Sequence, residues 1–171
     1  MQSRPEANEY APYYSGYVGL VPDGDIIHIL MEQVEETIQL LQDISEKQSL
    51  FRYADGKWSV KEVIGHVADT ERIMAYRLLC IARGETLSLP GFDENPYVIN
   101  ASFDRLPIKE HIENLRAVRQ STIQLLKGLD NQVWARIGSA NDVDVSVRAL
   151  AYIIAGHERH HRQLLKERYL L

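Results

Sequence analysis

Apolar residues recur at steps of three and four along four long stretches of the chain, and no stretch alternates apolar and polar positions for long enough to demand a sheet. The first stretch runs from about Asp25 to Ser45 through Ile27, Leu30, Met31, Val34, Ile38 and Leu41. The second begins after Trp58, where Ser59-Val60-Lys61-Glu62 has the form of a capping box, and carries the stripe Val60, Val63, Ile64, Val67, Met74 and Leu78 to an end at Gly84. The third spans about Pro107 to Lys127, with proline tolerable in its first turn and Gly128 marking its exit. The fourth opens near Ser146 and reaches about Arg168, a run of about 22 residues and about 33 Å at 1.5 Å per residue.

Between these stretches the pattern breaks. Residues 1–23 lack helical periodicity and carry Pro5, Pro12, Pro22 and four tyrosines, Tyr10, Tyr13, Tyr14 and Tyr17. So aromatic an arm is expected to pack across the helices or on a partner subunit rather than to trail as a disordered tail. From Gly84 to Pro107 the turn chemistry at Pro90-Gly91 and Asn95-Pro96 reads as a long crossover loop, and irregular chain with Trp134 and Gly138 precedes the fourth helix. The expectation is an all-α four-helix bundle over residues 24–171 with an extended N-terminal arm over 1–23, and the core of such a bundle is a common place for a metal or cofactor site.

Composition narrows the class. The 171 residues suffice for one domain with a real core. With 19 basic against 24 acidic side chains and a formal charge of -5, the chain lacks the basic footprint of a nucleic-acid or anionic-lipid binder. Its opening residues show no apolar segment after a basic start, and no stretch approaches membrane length, so neither nucleic acid nor membrane is an expected partner and a cytoplasmic location is expected. The single cysteine, Cys80, rules out an internal disulfide framework and reads as small apolar filling.

The six histidines are more informative. On the fourth helix Leu150, Ile154, His157, His161 and Leu164 form an apolar seam into which two histidines are set at i and i+4, both aimed at the bundle axis. A buried unpaired polar group costs about 1–3 kcal/mol, so the pair needs partners. Neighbouring hydroxyls or carboxylates would suffice; a metal ion would too, given a third ligand from another helix. His66, two turns into the second helix, is the natural candidate. His160 lies about 100° from the seam and faces outward or supports the site, while His28 and His111 read as solvated.

Trp58-Ser59-Val60-Lys61-Glu62-Val63-Ile64-Gly65-His66, taken with His157-Glu158-Arg159-His160-His161-Arg162-Gln163, resembles the DinB/YfiT-like superfamily of four-helix-bundle metalloproteins. The resemblance extends over nearly the whole chain and includes Val21-Pro22-Asp23-Gly24-Asp25, Asp69-Thr70-Glu71-Arg72, Ala82-Arg83-Gly84, Pro90-Gly91-Phe92-Asp93 and Ser146 to Tyr152. It implies a divalent ion, zinc or nickel, held by three histidines that fall here on His66, His157 and His161. Members of the superfamily include thiol-dependent S-transferases, a mycothiol-dependent isomerase and many proteins described only as metal-dependent hydrolases. Homodimers are also consistent with the resemblance.

Three neutral nitrogens would leave the ion its full charge, favouring either a water of pKa near 7 or a thiolate at an open position. The first leads to a hydrolase acting on a small molecule. The second leads to a transferase using a low-molecular-weight thiol, since Cys80, late in a helix, is a poor nucleophile candidate. A third reading is a non-enzymatic, stress-associated metal-binding protein whose ion ties two helices together. Glu62 and Asp69, one turn either side of His66, are the candidate catalytic proton carriers, although Glu62 also caps its helix and Asp69 also reaches Arg72. Asp93, Glu94, Tyr13 and Tyr14 are placed to line a mouth, and Trp58 and Trp134 to wedge against the core.

Overall fold

A computed structural model describes residues 3–170. Four long helices make the bundle: α2 (Ile26–Leu41), α4 (Val60–Arg83), α6 (Ile108–Lys127) and α7 (Val147–Leu164), the last continued by a π-helical turn over Leu165–Tyr169. Shorter elements lie between them: α1 (Ser15–Leu20), α3 (Glu46–Ser49), α5 (Glu94–Ala101) and a hairpin of β1 (Ile137–Ala140) with β2 (Val143–Ser146). Around the bundle α2 packs on α6, α6 on α4, α4 on α7, and α7 back on α2. No described helix is long and apolar enough to cross a membrane.

The helix ends follow from the sequence. Ser59 Oγ accepts from the Glu62 amide while the Glu62 side chain accepts from the Ser59 amide, the reciprocal arrangement of a capping box. Gly84 closes α4 at φ 95°, a left-handed conformation that glycine adopts without steric cost. Asp25 caps α2, Ser146 caps α7, and Pro107 stands one position earlier than expected, as the cap of α6.

Three expectations are corrected. The arm is not extended: residues 7–9 and 12–14 form 3-10 turns and Ser15–Leu20 forms α1, too short to display a repeating pattern in sequence. It lies along α7 because Gly156 has no side chain; a Cβ there would stand 2.0 Å from the Tyr17 carbonyl oxygen. Glu9 pins the arm by accepting from Ser146 Oγ (2.6 Å) and Arg148 Nε (2.7 Å). The stretch before α7 is a hairpin of four-residue strands, turned by Asn141 and Asp142 at φ 54° and 59°, a two-residue turn that tolerates such short strands. The crossover loop contains α5, capped by Asp93.

The buried face of α2 also differs. Met31 is exposed, whereas Gln33 and Thr37 are buried between Leu30, Val34 and Ile38. The apolar core is therefore two clusters, one around Leu30, Leu78, Leu150 and Trp134, the other around Val34, Ile64, Leu115 and Leu165. Buried polar side chains from all four long helices lie at the level between them.

Candidate metal centre

Helix α4 supplies His66 and α7 supplies His157 and His161, and the packing of these two helices brings the three rings together. His157 Nε2 lies 3.0 Å from His66 Nε2 and 3.1 Å from His161 Nε2. All three side chains are buried. An imidazole nitrogen offers one proton or one lone pair, so His157 Nε2 can complete only one of these two contacts as a hydrogen bond. His161 Nδ1 is buried without any partner.

Burial holds the rings neutral. It lowers the pKa of His66 to about 4. Burial, then repulsion by its neighbours, takes His161 to about 3 and His157 well below the ordinary histidine value. Neutral imidazoles are the form that ligates metals, and two metal–nitrogen bonds of about 2.0–2.1 Å at a tetrahedral angle would set the nitrogens about 3.3 Å apart, close to the spacing seen. The donor set fits a divalent ion. The surroundings fit as well: Thr70 Oγ1 is 3.5 Å from His66 Nδ1, the Trp58 ring lies 4.7 Å from that of His66, and Tyr17 meets His157 edge-on at 5.5 Å. Trp58 thus both wedges the helix entrance and covers a histidine ring.

His66 and His157 line a cavity of about 310 Å³, within the size range of small-molecule sites. Its other walls come from the arm (Tyr13, Tyr14, Tyr17), the crossover loop (Phe92, Glu94) and the hairpin turn (Asn141). The loop and hairpin meet closely, since a Cβ on Gly91 would lie 2.1 Å from Asn141 Oδ1. Tyr13, Tyr14 and Glu94 are where the sequence suggested a mouth, whereas Asp93 faces its own helix as a cap.

Neither candidate proton carrier joins the histidines. Glu62 is committed to the Ser59 amide and to Arg52, and Asp69 pairs with Arg72 at 3.1 Å on a half-exposed surface. Among the described residues the histidine cluster is free of carboxylates and thiols. Cys80 is half-buried beside the core and away from the cavity wall. His160 is exposed, as expected, and His28 pairs with Glu32 at the surface. His111 is a correction: it is buried, with its Nε2 2.8 Å from the Phe103 carbonyl, because the turn over Phe103–Arg105 folds back across the start of α6.

Two features escaped the sequence reading. Arg119 of α6, almost fully buried, donates to both Glu71 oxygens (2.9 and 2.8 Å), to Glu158 (2.7 Å) and to the Leu30 carbonyl (2.8 Å), joining all four long helices at one point. Thr37 (2.7 Å) and Gln33 complete the shell of Glu158. The position of Arg119 among Leu115, Val118, Ile123 and Leu126 was the available hint. The second is Arg77, which lines the cavity and lies on the same face of α4 as His66.

The DinB superfamily model matches residues 30–165, four-fifths of the chain. The chain belongs to the DinB superfamily. Two Oceanobacillus iheyensis proteins, each provisionally named a metal-dependent hydrolase, are 25% identical to this DinB protein over 148 residues. One alignment spans 82% of this chain and 83% of the relative, the other 81% and 86%. Among solved structures, YfiT from Bacillus subtilis, described as a probable metal-dependent hydrolase with an unusual four-helix bundle topology, superposes with a TM-score of 0.76 over 83% of this chain and 82% of its own, at 21% identity. The fold is thus the DinB/YfiT four-helix bundle, and the three-histidine cluster gives it the means to bind a metal.

Proposed function

We propose that this DinB protein is a metal-dependent hydrolase of a small molecule, with one divalent ion, zinc or nickel, held by the Nε2 atoms of His66, His157 and His161. The observation that carries this is His157 Nε2, which faces two other imidazole nitrogens about 3 Å away and can satisfy only one. The provisional names of the Oceanobacillus relatives support the reaction class. Once bound, the ion supplies a fixed positive charge that polarises a carbonyl or steadies an anionic oxygen or sulfur.

The chain's own residues prepare the site. Burial keeps the three rings deprotonated at neutral pH, so an entering ion displaces no protons from them. Thr70 Oγ1 can accept from His66 Nδ1–H, the tautomer that leaves the Nε2 lone pair free for an ion. Trp58 and Tyr17 fix the rings of His66 and His157 and exclude water from their outer sides. Metal analysis of purified protein is expected to find one divalent ion per chain that is lost in both His66→Ala and His157→Ala, together with hydrolysis of test esters. Metal retained in both variants would sink the reading.

A second reading, a transferase using a low-molecular-weight thiol, is favoured by the placement of the carboxylates. Glu94 is the one carboxylate on the cavity wall among the described residues, and Glu62 and Asp69 are engaged elsewhere. A site without a base beside the histidines suits a nucleophile that ionises readily by itself, as thiols do. Faster conjugation of a small thiol to a chloronitroarene by metal-loaded protein, without ester hydrolysis, would select it.

A further inference from the structure

Helix α4 lines the cavity with His66, Thr70, Met74 and Arg77, at steps of four, four and three, so one helical face forms that wall. Arg77 stands eleven positions after His66, about 16 Å of helical rise. The histidine cluster therefore stands toward one end of the wall and a guanidinium toward the other.

Arg77 is only 4% exposed, yet no carboxylate among the described residues lies within ion-pair distance of it. The other buried arginines are paired, Arg119 with Glu71 and Glu158, and Arg162 with Glu36. Arg77 Nη2 donates to the Pro90 carbonyl at 2.6 Å, Nη1 meets the Met74 thioether at 3.6 Å, a weak acceptor, and the guanidinium lies beside the neutral Tyr14 phenol, which it influences by charge and hydrogen bonding. The Phe92 ring lies 5.8 Å from the guanidinium carbon. Glu94, on the same wall, is only half-buried and makes no ion pair with Arg77. A buried cation without a counter-ion is costly to keep, and a fork of N–H donors at a cavity wall is the arrangement that receives a carboxylate.

We propose that the cavity binds an elongated small molecule carrying one carboxylate, which docks on Arg77 while its other end reaches toward His66 and His157. A single negative charge is specified because Arg77 is the only Lys or Arg on that wall among the described residues. A phosphate dianion would be left half neutralised there. The reacting end of this inference rests on the metal-site reading; the carboxylate subsite does not.

Calorimetric titration of the full chain with hexanoate tests it, both metal-loaded and after chelation. Saturable binding is expected in both states, at least about tenfold weaker in Arg77→Met and weaker still for the neutral isostere hexanamide. Arg77→Lys is expected to retain part of the affinity. Glu94→Gln is expected to tighten binding by removing a like charge, and Arg72→Met, whose cation is already paired with Asp69, to leave it unchanged. No binding of hexanoate, equal binding of hexanamide, stronger binding of inorganic phosphate, or binding that needs the ion and ignores Arg77 would overturn the proposal. If Arg77→Met fails to fold, Arg77→Lys and Glu94→Gln carry the same decision. A protein without metal but with Arg77-dependent binding would refute the metal reading alone, and a metal-loaded protein with Arg77-independent binding would refute the carboxylate site alone.

Discussion

His157 and Glu158 are neighbours on α7 and both are buried, yet they open onto polar clusters of opposite character. Glu158 faces a closed network in which Arg119, Thr37 and Gln33 complete its hydrogen bonds and Arg119 also pairs with Glu71. Burial alone would raise the Glu158 pKa, but Arg119, Thr37 and Gln33 outweigh it and hold the carboxyl below the ordinary value. His157 faces two nitrogens that cannot both be satisfied, and its pKa falls because burial disfavours a charged ring and the neighbouring histidines repel one. A network that satisfies itself holds helices together. A convergent set of lone pairs that cannot satisfy itself is a place for a ligand.

The sharpest way to break this contrast is Arg119→Met, which strands Glu71 and Glu158 as unpaired buried carboxylates. A loss of about 3–5 kcal/mol in urea unfolding is expected, and chelators should not change the size of that loss. A loss below about 1 kcal/mol would show that the network is not the fastener of the bundle.

The histidine side should respond to metal instead. Zinc at a hundredfold excess over its dissociation constant is expected to stabilise the native chain by about 2.7 kcal/mol, and to do nothing for His157→Ala. Equal stabilisation of both would place the ion elsewhere.

The two clusters should also separate by pH in metal-free protein. His66 and His161 titrate at about 4 and about 3 in the fold, against about 6.5 in an unfolded chain. Between those values the unfolded chain takes up protons that the folded cluster refuses, so stability is fully present above about pH 6.5 and falls as the pH is lowered toward 4, by on the order of 6 kcal/mol for the two rings together. The Glu158 contribution is intact above the ordinary carboxylate value of 4.5 and is lost only as the pH falls further. Unfolding curves across this range should show two descents, with the upper one reduced in His66→Asn. A single descent below pH 4.5 would mean that the rings are not held neutral by burial.

The smallest effect is expected for Glu62→Gln. Glutamine preserves the cap but not the pairing with Arg52, so about 0.5 kcal/mol should be lost, with metal content unchanged. A drop in turnover of a hundredfold or more, at unchanged stability, would instead assign Glu62 the proton-carrying role that its spacing from His66 suggests.

The parts that could be read without coordinates were those governed by local rules. The Ser59–Glu62 capping box, the Gly84 terminus and the i, i+4 pair of His157 and His161 follow from helix geometry alone, and each is present in the fold. The arm's packing on the bundle was expected, but its helical turns and the hairpin were missed because these elements are three to six residues long, shorter than a pattern needs to repeat. His111 was misplaced because its neighbours in sequence are polar while its cover, Phe103, arrives from a separate turn. Glu62 and Asp69 sit at the right helical distance from His66, but spacing along a helix does not say which way a long side chain leans.

By itself the sequence determined the four helices, the Ser59 cap and Gly84 terminus of α4, and the presence of two histidines in an apolar seam, because those depend on neighbours within a few positions. Only tertiary structure decided that His66 closes the trio, that Arg119 gathers two carboxylates and the Leu30 carbonyl, and that Arg77 is left buried without a carboxylate partner among the described residues. The satisfaction of a buried charge depends on groups from other helices, and Arg119 and Glu158, 39 positions apart, meet only when the bundle has closed.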